Sequence, residues 1–107
     1  MSIIQWNINS FKANRPELEL LLKNNPAIIC LQETRANAPI KITGYKSYNI
    51  YSKTSDDRAC GGVSILVKDT QFQVRVPVTS NNQCVAVQVS LHKKFTICCM
   101  YIPPSQS

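Results

Sequence analysis

Acidic residues and histidine are scarce in this sequence: Asp+Glu number 6 against Lys+Arg 12 in 107 residues, and His92 is the single histidine. The formal charge of +6 favours a polyanionic partner without naming it. The five cysteines, Cys30, Cys60, Cys84, Cys98 and Cys99, include no CxxC pair. With one histidine, that argues against a zinc site, and the odd number argues against a disulfide framework. Long apolar runs are missing too. Each apolar stretch is broken by Gln, Asn or Lys well short of the ~20 residues a membrane helix needs, which excludes a spanning helix. The opening Met1-Ser2-Ile3-Ile4-Gln5-Trp6-Asn7 has no basic n-region, no useful h-region and no small-residue cleavage site, so secretion is not expected. No repeat, low-complexity tract or linker divides the chain, and 44% apolar content excludes disorder. One globular domain is expected.

What is present reads as one helix among strands. Ser2 to Asn7 is β-branched and aromatic and stops at a polar Asn-Ile-Asn-Ser run, which predicts a strand. A helix follows, with Asn14 as a possible cap, Pro16 in its first turn, Leu18, Leu21 and Leu22 at helical spacing, and a stop at Asn24-Asn25-Pro26. Ala27 to Glu33 is an apolar run read as a strand buried on both faces, and the strand-helix-strand order predicts a right-handed crossover. Five further strands are expected at Tyr45 to Tyr51, Gly62 to Lys68, Phe72 to Val78, Cys84 to Leu91 and Phe95 to Ile102. The alternation in Phe72 to Val78 and Cys84 to Leu91 predicts half-exposed antiparallel strands. Phe95 to Ile102, apolar on both faces, is expected to lie centrally with cover on each side. Cys30, Cys84, Cys98 and Cys99 lie in apolar runs, where free cysteine behaves as a small buried hydrophobe.

Two side chains stand out by position. Asn7 ends the first strand and Glu33 the second, so parallel pairing brings both to one carboxyl edge of the sheet, where open α/β sheets place ligands. A carboxylate after an apolar run is hard to explain by packing, because an unpaired buried charge is costly. A hard oxygen ligand of this kind suits Mg²⁺, which keeps waters and borrows phosphate oxygens. The alternative is a strand-end Glu paired with a basic residue such as Arg35.

Trp6-Asn7-Ile8-Asn9, Leu31-Gln32-Glu33-Thr34, Gly61-Gly62-Val63-Ser64-Ile65-Leu66-Val67 and Met100-Tyr101-Ile102-Pro103-Pro104 occur in this order. In content and spacing they resemble the endonuclease/exonuclease/phosphatase superfamily, and within it the N-terminal endonuclease domain of jockey-like non-LTR (LINE-type) retrotransposons. The resemblance covers nearly the whole chain. It implies a DNase I-like α/β sandwich, of which residues 1–107 would form only the N-terminal half. It further implies Glu33 as the ligand of Mg²⁺ or Mn²⁺, Asn7 as an aid in ordering metal and phosphate, Tyr101 at the scissile phosphate and Gln32 as a support. Asn9, where relatives often carry Asp, and Arg58, in the loop before Gly61-Gly62, would contact nucleic acid; the alternative for Arg58 is a solvated loop arginine.

Departures from the pattern bear on activity. The Gly-Asp-Phe-Asn and Ser-Asp-His type motifs of the family's second half, which supply the water-activating carboxylate and a histidine, do not occur. Asp56-Asp57 reads as a solvated turn, His92 as part of a hairpin turn, and Pro104 stands where many relatives have Asn. The reading is a fragment of a metal-dependent DNA endonuclease, inactive alone. Its partners would be DNA and, in a parent polyprotein, a reverse transcriptase domain, acting inside the cell and in the nucleus. The alternative is a non-catalytic nucleic-acid-binding or interaction remnant of the same fold; a phosphatase of the superfamily fits the +6 charge less well.

Overall fold

Nine strands and one helix make up the described part of a computed structural model, which describes residues 2–55, 58–69, 72–80, 82–90 and 93–102. In chain order they are β1 (Ile3–Asn7), α1 (Phe11–Leu22), β2 (Ile28–Gln32), β3 (Tyr45–Ile50), β4 (Lys53–Ser55), β5 (Arg58–Cys60), β6 (Val63–Lys68), β7 (Phe72–Val76), β8 (Gln83–Ser90) and β9 (Lys94–Tyr101). β1 and β2 pair in parallel, from Ile3 opposite Ile28 to Asn7 opposite Gln32. The first sheet runs β1-β2-β6-β3, with β6 antiparallel to both neighbours. A second, antiparallel sheet runs β7-β8-β9. The short hairpin of β4 and β5 was not anticipated, and it makes Arg58 a strand residue rather than a loop residue; its side chain, Asp56, Asp57, His92 and Pro104 lie outside the described residues.

Alternation sorts the first sheet's side chains into two cores. Ile28, Cys30, Val63, Ile65 and Val67 face the second sheet and pack with Val85, Val87, Val89 and Cys99. On the opposite face Ile29, Leu31 and Leu66 meet Leu18 of α1, Ile8, and Ile40 and Ile42 of the loop after β2. The layers are therefore helix, sheet, sheet, and β2 and β6 read as continuous apolar runs because both of their faces are covered. Ile65, with 0% of its surface exposed, sits at the centre of the inter-sheet core. Ile65→Ala is expected to cost about 2–5 kcal/mol, read as a lower midpoint in urea unfolding with an unchanged slope.

The helix begins earlier than its periodicity suggested. Ser10 is the N-cap, its Oγ accepting from Ala13 N at 3.2 Å, as a hydroxyl does when it satisfies a free first-turn amide. Asn14 instead leaves the helical region (φ −110°) and donates through Nδ2 to Ile8 O at 2.7 Å and Asn9 O at 3.2 Å. The resulting kink places Pro16 in the first turn of the second helical segment, where its missing N–H costs least. The helix stops as expected, with Asn25 left-handed (φ 57°) before Pro26.

One expectation for the second sheet is corrected and another holds. β9 is an edge strand, not a central one, and its Cys98 and Met100 are exposed. β7 is half-exposed and antiparallel to β8 as expected: Val74 and Arg75 are exposed, while Gln73 is half-buried opposite Val89. Gln73 is satisfied at the sandwich rim, where it accepts from the Tyr48 hydroxyl at 2.8 Å and donates to Lys68 O at 2.9 Å. Burial, followed by the nearby Asp69 charge, pushes the Tyr48 phenol up. The cysteines divide accordingly: Cys30 and Cys99 are buried hydrophobes, whereas Cys84 is half-buried and Cys98 exposed.

Candidate active site

The carboxyl ends of β1 and β2 lie beside the amino end of β6, because Gln32 pairs with both Asn7 and Val63. β9 ends at the same rim: Gln32 Nε2 donates to Met100 O at 2.8 Å, one residue before Tyr101. Asn7, Gln32, Glu33 and Tyr101, singled out from dispersed stretches of sequence, are thus brought to one end of the sandwich. Gln32 acts as the strut between the two sheets, and it also accepts from Gln5 Nε2 at 3.4 Å.

The backbone here is unusual. Asn9 (φ 51°), Ser10 (φ 95°), Glu33 (φ 52°) and Arg35 (φ 53°) are left-handed although none is glycine. Such residues cost of order 1–3 kcal/mol each, persist only where surroundings over-determine them, and cluster at functional sites. The surroundings here are hydrogen bonds from Ser10 N to Glu33 O (2.9 Å), Phe11 N to Thr34 O (2.8 Å), Thr34 N to Gly62 O (3.1 Å) and Arg35 N to Gly61 O (2.8 Å). They clamp the segment after β2 between the start of α1 and the Gly61-Gly62 pair. The result turns Glu33 off the line of β2 and leaves it half-exposed. No salt bridge joins Glu33 to Arg35 among the described residues.

Gly62 (φ 93°) has to be glycine: a Cβ there would collide with Thr34 Oγ1 and press on Arg35 N. At Gly61 a Cβ would meet Gln83 and come within 3.2 Å of the Tyr101 ring, so the glycine pair lets Tyr101 settle against the rim. Gln83 accepts from Gly62 N and donates to Tyr51 O at 3.1 Å. Thr34, 1% exposed, and Gln83 are parts of the site that sequence reasoning did not single out. Their polarity beside apolar runs was the available signal, and it is common at strand ends.

The family model for the Endonuclease/Exonuclease/phosphatase family matches residues 4–93. The chain belongs to that family. Among curated relatives it is 30% identical over 95 residues to the "Probable RNA-directed DNA polymerase from transposon BS" of Drosophila melanogaster, a match covering 84% of this chain and 10% of that protein. It is 31% identical over 81 residues to the "DNA repair nuclease APEX1" of Danio rerio, covering 69% of this chain and 26% of that one. Among solved structures, the endonuclease domain of TRAS1, a telomere-specific non-LTR retrotransposon, superposes with a TM-score of 0.72 at 19% identity, over 98% of this chain and 47% of that domain. The fold is therefore that of a DNase I-like endonuclease domain, and the chain spans about half of that solved domain.

The donor chemistry at the rim suits a hard cation. Glu33 offers a carboxylate and Asn7 an amide oxygen, and a Mg²⁺-type site uses one or two carboxylates, waters and phosphate oxygens rather than a full protein cage. No group of three His, Cys, Asp or Glu side chains that could hold a metal occurs among the described residues.

Proposed function

We propose that the chain is the N-terminal half of a metal-dependent DNA endonuclease domain of a non-LTR retrotransposon, whose parent reaction is phosphodiester hydrolysis that nicks target DNA. The observation that carries this reading is Glu33, held by a left-handed backbone at the carboxyl edge beside Asn7 in a chain of this family. Glu33 and Asn7 would hold Mg²⁺ or Mn²⁺, which when bound supplies charge neutralisation at the phosphate. Asn7 would orient the phosphate and the Tyr101 hydroxyl would donate a hydrogen bond to it. Asn9 and Arg58 would touch the nucleic-acid backbone, and the +6 charge would neutralise further phosphates. In this reading the partners are DNA and a reverse transcriptase domain of the parent polyprotein, and the place of action is the nucleus. No helix among the described residues is long and apolar enough to cross a membrane.

The missing second-half motifs favour a second reading for these 107 residues taken alone, a nucleic-acid-binding remnant without catalysis. Both readings predict weak, sequence-independent DNA binding that falls at least tenfold between about 50 and 200 mM salt, measured by fluorescence anisotropy with labelled duplexes. The metal-site reading alone predicts that Mg²⁺ at constant ionic strength strengthens binding and that Glu33→Ala removes the gain. A Mg²⁺ response identical in wild type and variant would remove Glu33 from the site, and undetectable binding at low salt would sink both readings.

A further inference from the structure

Outside the rim, two nucleophilic side chains meet on the outer face of the β7-β8-β9 sheet. Cys84 pairs with Met100 and Ala86 with Cys98, so the two cysteines are diagonal neighbours across β8 and β9, a separation side chains can bridge. Their Sγ atoms are 3.0 Å apart. Cys98 is exposed and Cys84 half-buried, so the pair is open to solvent on one side. We propose that Cys84 and Cys98 form a dithiol modification site that reacts with small-molecule disulfides and closes into a reversible cross-strand disulfide.

The geometry assigns the order of events. Cys98, the more exposed sulfur, attacks the small disulfide as its thiolate; an S–S bond forms to one half of the oxidant and the other half leaves as a thiolate that takes up a proton. Cys84 then gives up its proton and attacks the Cys98 sulfur, forming the Cys84–Cys98 bond and expelling the second small thiol. The two cysteines lose two electrons and two protons, and one small disulfide becomes two small thiols. Burial, and then the hydrogen bond with Cys98, push the Cys84 thiol up to about 11, which leaves the first attack to the more exposed Cys98. Closure requires the sulfurs to approach by about 1 Å to reach the S–S bond length. β9 is free to yield because no strand flanks its other side among the described residues.

The other close pair serves as an internal contrast. Cys30 and Cys99 lie in the inter-sheet core, where Cys99 Sγ donates to Leu31 O at 3.4 Å. The hydrogen bond with Cys30 and burial both raise the Cys99 thiol, and no oxidant reaches it without unfolding. Under native conditions the core pair stays reduced while the surface pair reacts.

The test is incubation of dilute, folded chain with oxidised glutathione, followed by native thiol counting and peptide mapping. The expected product is chain with no covalent link to another copy and three of its five thiols left, a Cys84–Cys98 linked peptide short of two hydrogens, and full reversal by dithiothreitol. Cys84→Ser is expected to stop at a stable glutathione adduct on Cys98, because the second thiol is gone. A lasting glutathione adduct in wild type, linkage between chains only, or a Cys30–Cys99 link without Cys84–Cys98 would each overturn the proposal. The wild-type map decides the matter even if the variant fails to fold.

Discussion

Purified chain incubated with supercoiled plasmid and Mg²⁺ is expected to leave the plasmid closed. Hydrolysis of a phosphodiester needs a group to take a proton from the attacking water and a group to steady the leaving oxygen, and positioned acid–base groups each contribute about 10²–10⁴-fold. The rim offers Glu33, which the proposed function commits to the metal, together with Asn7 and Tyr101. The family motifs that would bring a second carboxylate and a histidine are absent from the sequence. Removing both contributions places the rate far below what a nicking assay detects. The contrary result is equally definite: open-circular plasmid that appears with Mg²⁺ and disappears in Glu33→Ala would show that half a site suffices.

The second large effect concerns association. The outer face of the β7-β8-β9 sheet carries Val74 (50% exposed) and Met100 (37%), with Val78 (43%) beyond the end of β7 and Ile102 (51%) just beyond β9. A contiguous apolar patch of a few hundred Å² is unusual on a soluble monomer and drives association. β1 and β9 are, in addition, edge strands, open to pairing with another chain. Light scattering of the 107-residue chain is therefore expected to show oligomers whose size grows with concentration. Val74→Lys combined with Met100→Lys should shift the population to monomer while leaving far-UV circular dichroism unchanged, because neither side chain belongs to the buried core. A monodisperse wild-type monomer with strongly protected β9 amides would contradict this. It would also weaken the view that these residues are half of a larger fold.

Both predictions depend on where the side chains fall, and the sequence is an uneven guide to that. The β1-α1-β2 unit was legible because its signals are local and redundant: a leucine stripe, a terminating Asn-Asn-Pro and an unbroken apolar strand. Glu33 and Asn7 were legible for the same reason, since parallel pairing of adjacent strands leaves their ends at one edge. Tyr101 and Gly61-Gly62 were visible through family motifs, but their meeting at Gln83 rests on contacts between residues far apart in the chain.

The amino-acid sequence by itself determined the strand-rich α/β class, the helix, the basic character and the candidate carboxylate, all of which follow from periodicity and residue chemistry. Only the tertiary structure decided that Gln73 of β7 is half-buried while Val74 is exposed, because an alternating strand has two faces and the choice lies with partners such as Tyr48 and Lys68. It also decided that β9 is an edge, that Ile40 and Ile42 of a loop belong to the core, and that Cys84 and Cys98 meet. It showed the left-handed turn at Glu33 as well, which no local preference of glutamate would indicate. That turn is held by backbone hydrogen bonds to α1 and to Gly61-Gly62, interactions that exist only once the sheet has assembled around it.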